Sequence, residues 1–382
     1  MLRSSLLSVV SSVIAVSALY ACSSESGESS SGGSGNSSGG SSSSGASGSS
    51  SGETSSSSSS GNTSSSSSSG NTSSSSSSGE VNPLTGVGVP KLIVDGSGGA
   101  SAFIDGVQWG GNVLYFSDVN AGTNSNGVVV EYDPAKYDSA NLSKAVSPYR
   151  NPSSKIVGMA LDKSGQLIGC SVADATNKPQ GRVVKITKGS TAYANVAITN
   201  ANLFISPNDL VVRKSDNTIY VTDPGYQDDT ATKNYVWRID PMGKVNTLKE
   251  FDTLDRPNGI GMTKDESLLY VSFTAPQGGP KAFVGRYKLK ADGTVTDDGK
   301  LTEFADAGAF PDGLTVDDAG NVYVAVATGV DVFKASGQKW GTINVTPRPN
   351  NVRFGGADKK SLFITTVQKV FEVKVAVAGR TD

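Results

Sequence analysis

The sequence predicts an all-β fold, a six-bladed β-propeller, and three observations support this prediction. Short strands of alternating apolar and polar residues, separated by Gly, Asn and Asp turns, fill the chain from about residue 81 onward. No long amphipathic helix interrupts them. A hairpin unit, made of a polar corner and two strands, occurs six times, with corners near residues 106, 158, 209, 259, 313 and 351. A period of about 50 residues is typical of one propeller blade per copy.

The first 22 residues are predicted to be a lipoprotein signal peptide. Arg3 supplies a positive start, and the apolar stretch from Leu6 to Ala18 is too short for a comfortable membrane span. Cys22 ends a lipobox-like segment, so we predict lipidation at Cys22 and anchoring of an exported protein to a bacterial membrane. The following Ser23, where Asp would favour the inner membrane, is compatible with the outer membrane. The alternative is an ordinary secretory signal and a secreted protein.

Residues 23–80 are predicted to be a disordered linker, because they are almost wholly Ser, Gly, Asn and Thr. Such a composition cannot bury a hydrophobic core. The propeller domain is therefore predicted to span residues 81–382.

The six hairpin copies follow one another through this domain, and each is defined by its corner and its second strand. They are Phe103–Gly106 with Leu114–Asp118, Gly158–Asp162 with Gln166–Cys170, Pro207–Leu210 with Ile219–Asp223, Arg256–Gly259 with Leu269–Ser272, Pro311–Leu314 with Val322–Ala325, and Pro349–Val352 with Leu362–Thr365. One strand, Pro90–Val94, precedes the first corner, and the last copy is short of sequence to complete it. We predict that this N-terminal strand joins the last blade, which closes the ring and removes an exposed sheet edge.

Composition excludes several functional classes. The net charge is −2 and no Lys/Arg tract stands out, so nucleic-acid binding is not expected. The chain contains no His, which excludes Ser-His-Asp and Cys-His catalysis and a typical His-ligated zinc site. Cys170 lies inside an apolar strand and is expected to be a buried, inert thiol. Acid–base chemistry is left to carboxylates, Lys, Tyr or metal-bound water.

Acidic and amide residues occupy the same position in several of the repeated corners. They are Asp105, Asn208, Asn258, Asp312 and Asn350. The inner strand of each propeller blade starts at the central channel, so we expect these corners to converge on one mouth of the channel. Their oxygen atoms are ligands typical of Ca²⁺ and, less often, of Mg²⁺ or Mn²⁺. A single Asn or Asp at such a corner is more often a turn cap, but the same phase in several repeats favours a shared site.

The domain resembles the gluconolactonase/regucalcin/luciferin-regenerating-enzyme family of six-bladed propellers over about residues 88–378. Five sets of residues carry the resemblance: Asp105–Trp109 with Leu114–Asp118, Ser206–Val212 with Ile219–Pro224, Arg256–Ile260, Pro311–Leu314, and Asn351–Gly356.

The resemblance implies hydrolysis of a sugar lactone with the help of one divalent cation, most often Ca²⁺, with Mg²⁺, Mn²⁺ or Zn²⁺ as alternatives. It implies Asp105, Asn208, Asn258 and Asp312 as metal ligands. Asp312 and Asn208 are the implied catalytic residues: Asp312 would accept a proton from water, and Asn208 would orient the substrate.

Further residues near the same corner are candidates for contact with the substrate. Asn208, Asp209 and Tyr226 form the predicted substrate-binding set, and Asp223 is a candidate for supporting them, with turn capping as the alternative for both Asp side chains.

Two departures from the family pattern concern the site. The first corner is usually Glu-Gly-Pro in the family, whereas here it is Asp105, Gly106 and Val107. Asp is one methylene shorter, so either the backbone shifts, or Asp105 coordinates through water, or cation affinity falls. In addition, the stretch from Ser171 to Gly181 lacks the His that many lactonase members carry.

Two other functions compete with the lactonase hypothesis. The first is a lipid-anchored binding module with a purely structural Ca²⁺ site, because fold does not fix function. The second is a related hydrolase of other esters or phosphotriesters on the same scaffold, because the same polarisation by a metal ion serves those substrates.

Overall fold

A computed structural model describes residues 80–96, 102–122, 126–172, 181–192, 194–197, 203–228, 231–275, 279, 281–305 and 308–380. The predicted signal peptide, with Cys22, and the predicted linker lie outside the described residues, apart from Glu80. Within the described part, the chain forms six antiparallel four-stranded sheets arranged as a six-bladed β-propeller. The predicted fold class is therefore confirmed.

The blades follow one another in chain order, and only the sixth takes a strand from elsewhere. Blade 1 contains β2 (Ile104–Trp109), β3 (Leu114–Asp118), β4 (Val128–Tyr132) and β5 (Val146–Arg150); blade 2 contains β6 (Ile156–Leu161), β7 (Leu167–Ser171), β8 (Arg182–Lys185) and β9 (Ala194–Asn195); blade 3 contains β10 (Leu210–Arg213), β11 (Thr218–Asp223), β12 (Asn234–Ile239) and β13 (Val245–Phe251). Blade 4 contains β14 (Arg256–Met262), β15 (Leu268–Thr274), β16 (Phe283–Leu289) and β17 (Val295–Glu303); blade 5 contains β18 (Leu314–Val316), β19 (Val322–Val326), β20 (Gly329–Phe333) and β21 (Lys339–Asn344); blade 6 contains β22 (Pro349–Gly355), β23 (Ser361–Thr366), β24 (Lys369–Lys374) and β1 (Lys91–Asp95).

Helical structure in the described residues is confined to short 3-10 turns, Pro134–Lys136 and Leu142–Ala145 among them. A search of the same residues finds no helix with the length and apolar character needed to cross a bilayer.

The N-terminal strand closes the ring, as predicted. β1 pairs antiparallel with β24, placing Lys91 opposite Glu372 and Leu92 opposite Phe371. Ile93 at the centre of β1 is fully buried. Blade 6 thus takes its fourth strand from the start of the domain, which explains why the last repeat interval is short.

The hydrophobic core is divided among the contacts between neighbouring blades. Between blades 2 and 3, for example, Ile168 and Cys170 pack against Leu210, Val212 and Trp237. Burial raises the pKa of the Cys170 thiol well above its usual value. Because the thiolate is the reactive form, Cys170 is the inert core residue that the sequence predicted.

The corners of the repeats lie at breaks in regular strand pairing. The register shifts between Asp105 and Val107, Ile156 and Met159, Pro257 and Ile260, and Pro349 and Asn351. A β-bulge of this kind bends the strand and re-aims its side chains. The side chains at the corners therefore need not alternate between the two faces of the sheet.

Hydrogen bonds between blades place the corners at one level. Gly158 N donates to the Asn208 carbonyl (2.8 Å), and Gly313 N donates to the Asn350 carbonyl (2.8 Å). A Cβ at Gly259 would lie 2.3 Å from the Asp312 carbonyl oxygen, so glycine is required for this close approach. We call the six equivalent positions the corner ring: Asp105, Val157, Asn208, Asn258, Asp312 and Asn350.

Candidate functional site

Two carboxylates of the corner ring, from blades 1 and 5, form the acidic part of the candidate site. Asp105 is 6% exposed, and its Oδ1 accepts a hydrogen bond from Gly106 N (2.8 Å). Asp312 lies at the start of blade 5, and its Oδ2 accepts a hydrogen bond from Arg348 Nη2 (2.9 Å). The ion pair with Arg348 leaves the other oxygen of Asp312 for a different partner.

Burial and neighbouring charge raise the pKa of both carboxyl groups. Burial, and then the Asp312 carboxylate, raise the pKa of Asp105 to about 8. Burial also raises the pKa of Asp312 to about 6, although the Arg348 guanidinium works against this rise. A carboxyl pair of this kind resists double ionisation unless positive charge is supplied.

The raised pKa of Asp105 predicts how stability depends on pH in protein stripped of divalent cations. Between the unfolded value of 3.8 and the folded value of about 8, the folded state holds a proton that the unfolded state has lost. The free energy of unfolding should therefore fall as pH rises from about 4 to 8, by up to about 1.4 kcal/mol per pH unit. Urea unfolding at several pH values in a chelator measures this slope.

Asp105→Asn should reduce this slope, because the titrating group is then missing. Asp297→Asn, at a side chain that is 64% exposed, is the matched control and should keep the slope of the unsubstituted protein. An identical slope in all three proteins would show that Asp105 is ionised normally.

Asn258 supplies a buried oxygen atom that has no hydrogen-bond donor. Its Nδ2 donates to the Tyr226 hydroxyl (3.2 Å) and to Thr274 Oγ1 (3.1 Å). These two bonds occupy the nitrogen and leave Oδ1 buried without a partner among the described residues. A buried acceptor without a donor costs about 1–3 kcal/mol, so the position favours a ligand that interacts with oxygen.

Tyr226 lies beside Asn258 and close to the acidic pair. Burial, and then the Asp312 carboxylate, raise the pKa of its hydroxyl to about 12. The hydroxyl therefore stays protonated at neutral pH and can hold the Asn258 amide in place. This contact places Tyr226 at the site, as a neighbour of a predicted ligand.

The two remaining amides of the corner ring differ in their surroundings. The Asn350 Nδ2 donates to the Ile104 carbonyl (2.8 Å), so this side chain joins blade 6 to blade 1. Asn208 is partly exposed, and its side-chain amide makes no hydrogen bond to the described residues. Asn208 is therefore the corner-ring amide that can turn towards a ligand.

The structure does not support direct substrate contact by Asp209. This side chain is 1% exposed and is bound by Arg353 Nη2 (3.1 Å) and Leu210 N (2.8 Å). Its side chain is thus engaged inside the channel with Arg353, and its predicted role in binding substrate stays a prediction. Asp223 accepts hydrogen bonds from Ile205 N (2.8 Å) and Ser206 N (2.6 Å), so it holds the segment that leads to the Asn208 corner.

Arg348 and Arg353 are central residues to which the sequence analysis gave no role. Arg353 comes from blade 6 and reaches Asp209 and the Leu210 carbonyl (3.1 Å) in blade 3, which lies opposite in a ring of six blades. Arg348 contacts Asp312 from two positions before its own corner. Their positions relative to the corner could be read from the sequence, but the partners that they contact in other blades could not.

The donor set of the corner ring fits a divalent cation. Asp105, Asp312 and the orphaned oxygen of Asn258 are oxygen donors, and Asn208 is a further amide at the same level. Hard oxygen ligands of this type suit Ca²⁺ and Mg²⁺. Among the described residues, no group of three or more His, Cys, Asp or Glu side chains comes together, so any such site here combines carboxylates with amides.

A separate cavity of about 510 Å³ lies at the opposite ends of the inner strands, where hairpin turns of blades 1, 2 and 6 meet. Trp109, Tyr115, Tyr149 and Lys359 are among the residues that line it. None of the predicted site residues does, so this cavity is not the candidate site.

Comparison with known proteins gives one family and several relatives. Residues 104–368 match the family model described as SMP-30/Gluconolactonase/LRE-like region. A gluconolactonase from Zymomonas mobilis is 29% identical over 322 residues, which are 76% of this chain and 85% of that protein. The pentonolactonase XacC of Haloferax volcanii is 28% identical over 217 residues, which are 56% of this chain and 67% of that protein. The solved structure of a gluconolactonase from Xanthomonas campestris superimposes with a TM-score of 0.59 and 23% identity, covering 75% of this chain and 89% of that one.

Proposed function

The chain belongs to the SMP-30/gluconolactonase/LRE-like family, and on that premise we propose that it is a divalent-cation-dependent hydrolase of sugar lactones. The names of the two curated relatives, a gluconolactonase and a pentonolactonase, support this substrate class. The observation that carries the cation dependence is the buried, unpartnered Asn258 oxygen beside two carboxylates with raised pKa values.

We assign Asp105, Asn258 and Asp312 as the residues that would hold the cation, with Asn208 as a further ligand or as the group that orients substrate. Ca²⁺ is the first choice, because amide and carboxylate oxygens with room for water suit its flexible coordination. Bound there, a divalent cation would polarise the ester carbonyl of a lactone.

The chain's own residues account for the movement of protons in this proposal. Asp312 is the carboxylate assigned this role, because its Oδ2 is held by Arg348 and a positioned carboxylate can take a proton and return it. In the proposed step, the oxygen of a water molecule bonds to the carbonyl carbon and its proton passes to Asp312. The bond from that carbon to the ring oxygen then breaks, and the ring oxygen receives the proton, leaving the open-chain acid.

The supporting residues keep the acceptor and the ligands in place. The Arg348 guanidinium holds Oδ2 of Asp312 and limits the rotation of the carboxylate. The Tyr226 hydroxyl and Thr274 fix the amide of Asn258, and Thr274 Oγ1 in turn donates to the Pro311 carbonyl (2.6 Å), next to Asp312. Precise positioning of this kind matters because small misplacements of reacting groups reduce rates strongly.

Removal of divalent cations tests the proposal directly. Treatment of the protein with a chelator should lower the rate of opening of D-glucono-1,5-lactone and of a pentonolactone by at least about 100-fold, because carbonyl polarisation is lost. Adding back Ca²⁺, Mg²⁺, Mn²⁺ or Zn²⁺ separately should restore the rate with one or more of them. Proton release, followed with an indicator, measures turnover, and calorimetry of the same samples measures cation binding.

Two outcomes would count against the proposal in different ways. Full turnover after chelation would show that hydrolysis does not require the cation. Tight cation binding without turnover of any lactone would favour a binding module in which the cation is structural.

A further inference from the structure

Three cationic side chains occupy the same position in the repeat, two residues before the corner-ring residue of their own blade. The six positions of this phase, which we call the rim positions, are Phe103, Lys155, Ser206, Arg256, Phe310 and Arg348. The cations occupy blades 2, 4 and 6, so they alternate around the mouth with two Phe residues and one Ser. Two residues of chain span at most about 7 Å, so each rim position lies within that distance of the corner-ring residue of its own blade.

Contacts of two of these cations place them at the candidate site. Arg348 Nη2 bonds Asp312, and its guanidinium carbon lies 5.5 Å from the centre of the Phe310 ring. The guanidinium carbon of Arg256 lies 5.6 Å from the centre of the Tyr226 ring. Tyr226 in turn accepts a hydrogen bond from Asn258 Nδ2 (3.2 Å), so Arg256 is separated from a proposed cation ligand by one side chain.

Two of the three rim cations are not neutralised by the described residues. Lys155 and Arg256 are partly exposed, and neither forms an ion pair with a described carboxylate. Arg348 has one carboxylate partner, and its Nε is buried without a hydrogen-bond acceptor among the described residues. An unsatisfied guanidinium N–H in a buried position favours an anionic or polar ligand that supplies an acceptor.

Nearby carboxylates are already engaged by other groups. Asp209 pairs with Arg353 inside the channel, and Asp223 accepts hydrogen bonds from Ile205 N and Ser206 N. Asp118 accepts from Phe103 N (3.2 Å). Asp105 and Asp312 together balance the two charges of a divalent cation. With a divalent cation bound, these carboxylates would not balance the positive charge of the rim positions.

We propose that the mouth selects lactones that carry a second, negatively charged group away from the ester, a carboxylate, sulfonate or phosphate. This inference rests on the proposed lactonase function, whose site it extends outward from the corner ring to the rim positions. Guanidinium groups bind such anions through paired N–H donors, and several like charges around one opening also steer anions towards it.

A matched pair of substrates tests this inference, because they differ only at the carbon farthest from the ester. D-glucaro-1,4-lactone carries a carboxylate there, and D-glucono-1,4-lactone carries a hydroxymethyl group. In the cation-loaded full-length protein at low salt, kcat/KM should be at least about tenfold higher for the glucaro-lactone, as for a charge-assisted hydrogen bond. The ratio should shrink in about 0.5 M salt, where exposed charges are screened.

Substitutions at the rim positions identify the residues responsible. Arg256→Gln and Lys155→Gln should each lower the glucaro-to-glucono ratio severalfold, mainly through KM for the charged lactone. Arg348 is left unchanged in this test because it also contacts Asp312. Lys185→Gln, at an exposed position in blade 2, makes the same change in charge away from the mouth and should keep the ratio.

A binding measurement gives a readout that does not require turnover. Calorimetry should show tighter binding of D-glucarate than of D-gluconate, which lacks the second carboxylate, and Arg256→Gln should reduce the difference severalfold. Turnover of the glucono-lactone with equal kcat/KM for both lactones, or a ratio that neither substitution changes, would overturn the inference and leave the lactonase function standing. Rim-dependent preference for D-glucarate without hydrolysis of either lactone would support the anion site and count against the lactonase function. No hydrolysis and no preference in binding would overturn both.

Discussion

Replacing Asp312 by Asn is expected to lower kcat/KM for lactone hydrolysis by about 10³-fold or more, while the fold is retained. The substitution removes a charged oxygen ligand and the proposed proton acceptor in one step. It also removes the negative charge that helps to raise the pKa of Asp105, so repulsion between the two carboxyl groups is relieved. The loss should therefore appear in turnover and in cation affinity, measured by calorimetry, and not in the far-ultraviolet circular dichroism spectrum.

Asp358→Asn is the matched control for this prediction. Asp358 pairs with Lys374 (2.9 Å) in the turn between β22 and β23, and its side chain is 51% exposed. Exposed ion pairs contribute only about 0–1 kcal/mol, so this variant should keep its activity. Activity of Asp312→Asn within a few-fold of the unsubstituted protein would contradict both roles assigned to Asp312.

Replacing Arg353 by Met is expected to give the largest loss of stability, about 3–5 kcal/mol in the free energy of unfolding. Arg353 is 5% exposed and comes from β22 in blade 6. Its Nη2 bonds Asp209 Oδ1 and the Leu210 carbonyl in blade 3, and its Nη1 donates to the Leu314 carbonyl (3.0 Å) in blade 5. With a longer contact to the Ile260 carbonyl in blade 4 (3.4 Å), one side chain thus ties four blades together. Its loss leaves the buried Asp209 carboxyl without its guanidinium partner.

Urea unfolding checks this prediction, with Lys264→Met as the control. Lys264 is 64% exposed and pairs with Asp318 (2.6 Å), so its replacement should cost about 1 kcal/mol or less. The double variant Arg353→Met with Asp209→Asn should be less destabilised than the sum of the two single variants, because each single change strands the other partner. A cost below about 1 kcal/mol for Arg353→Met would show that the channel contacts are not needed for stability.

The repeat pattern predicted the fold well, because its signals are local. Alternating strands, Gly and Asn turns and the spacing of corners gave six blades, and the unpaired strand before Phe103 gave the closure by β1. The family resemblance is confirmed by the match of residues 104–368. Asp105, Asn258 and Asp312 were found from their phase in the repeat, and the structure brings them to one level, although their roles in metal binding stay predictions.

The surroundings of Asp209 could not be read from the sequence, for a physical reason. In the sequence it follows Asn208 directly, so it was placed at the mouth with its neighbour. Adjacent residues at a corner do not share a direction, and Asp209 meets Arg353 from a strand 144 residues away. A partner so distant in sequence leaves no local pattern.

The sequence by itself determined the number of blades, their order, the strand that closes the ring and the residues that occupy the corner ring. These follow from turn chemistry and from the period of apolar side chains, which act over a few residues. Only the tertiary structure decided which atoms of those residues already have a partner and which are available to a ligand. The amide of Asn258 is fixed by Tyr226 and Thr274, Asp312 is held by Arg348, and burial raises the pKa of Asp105. Each of these properties depends on residues that are distant in the sequence and close in space, because burial and charge interactions are set by spatial neighbours.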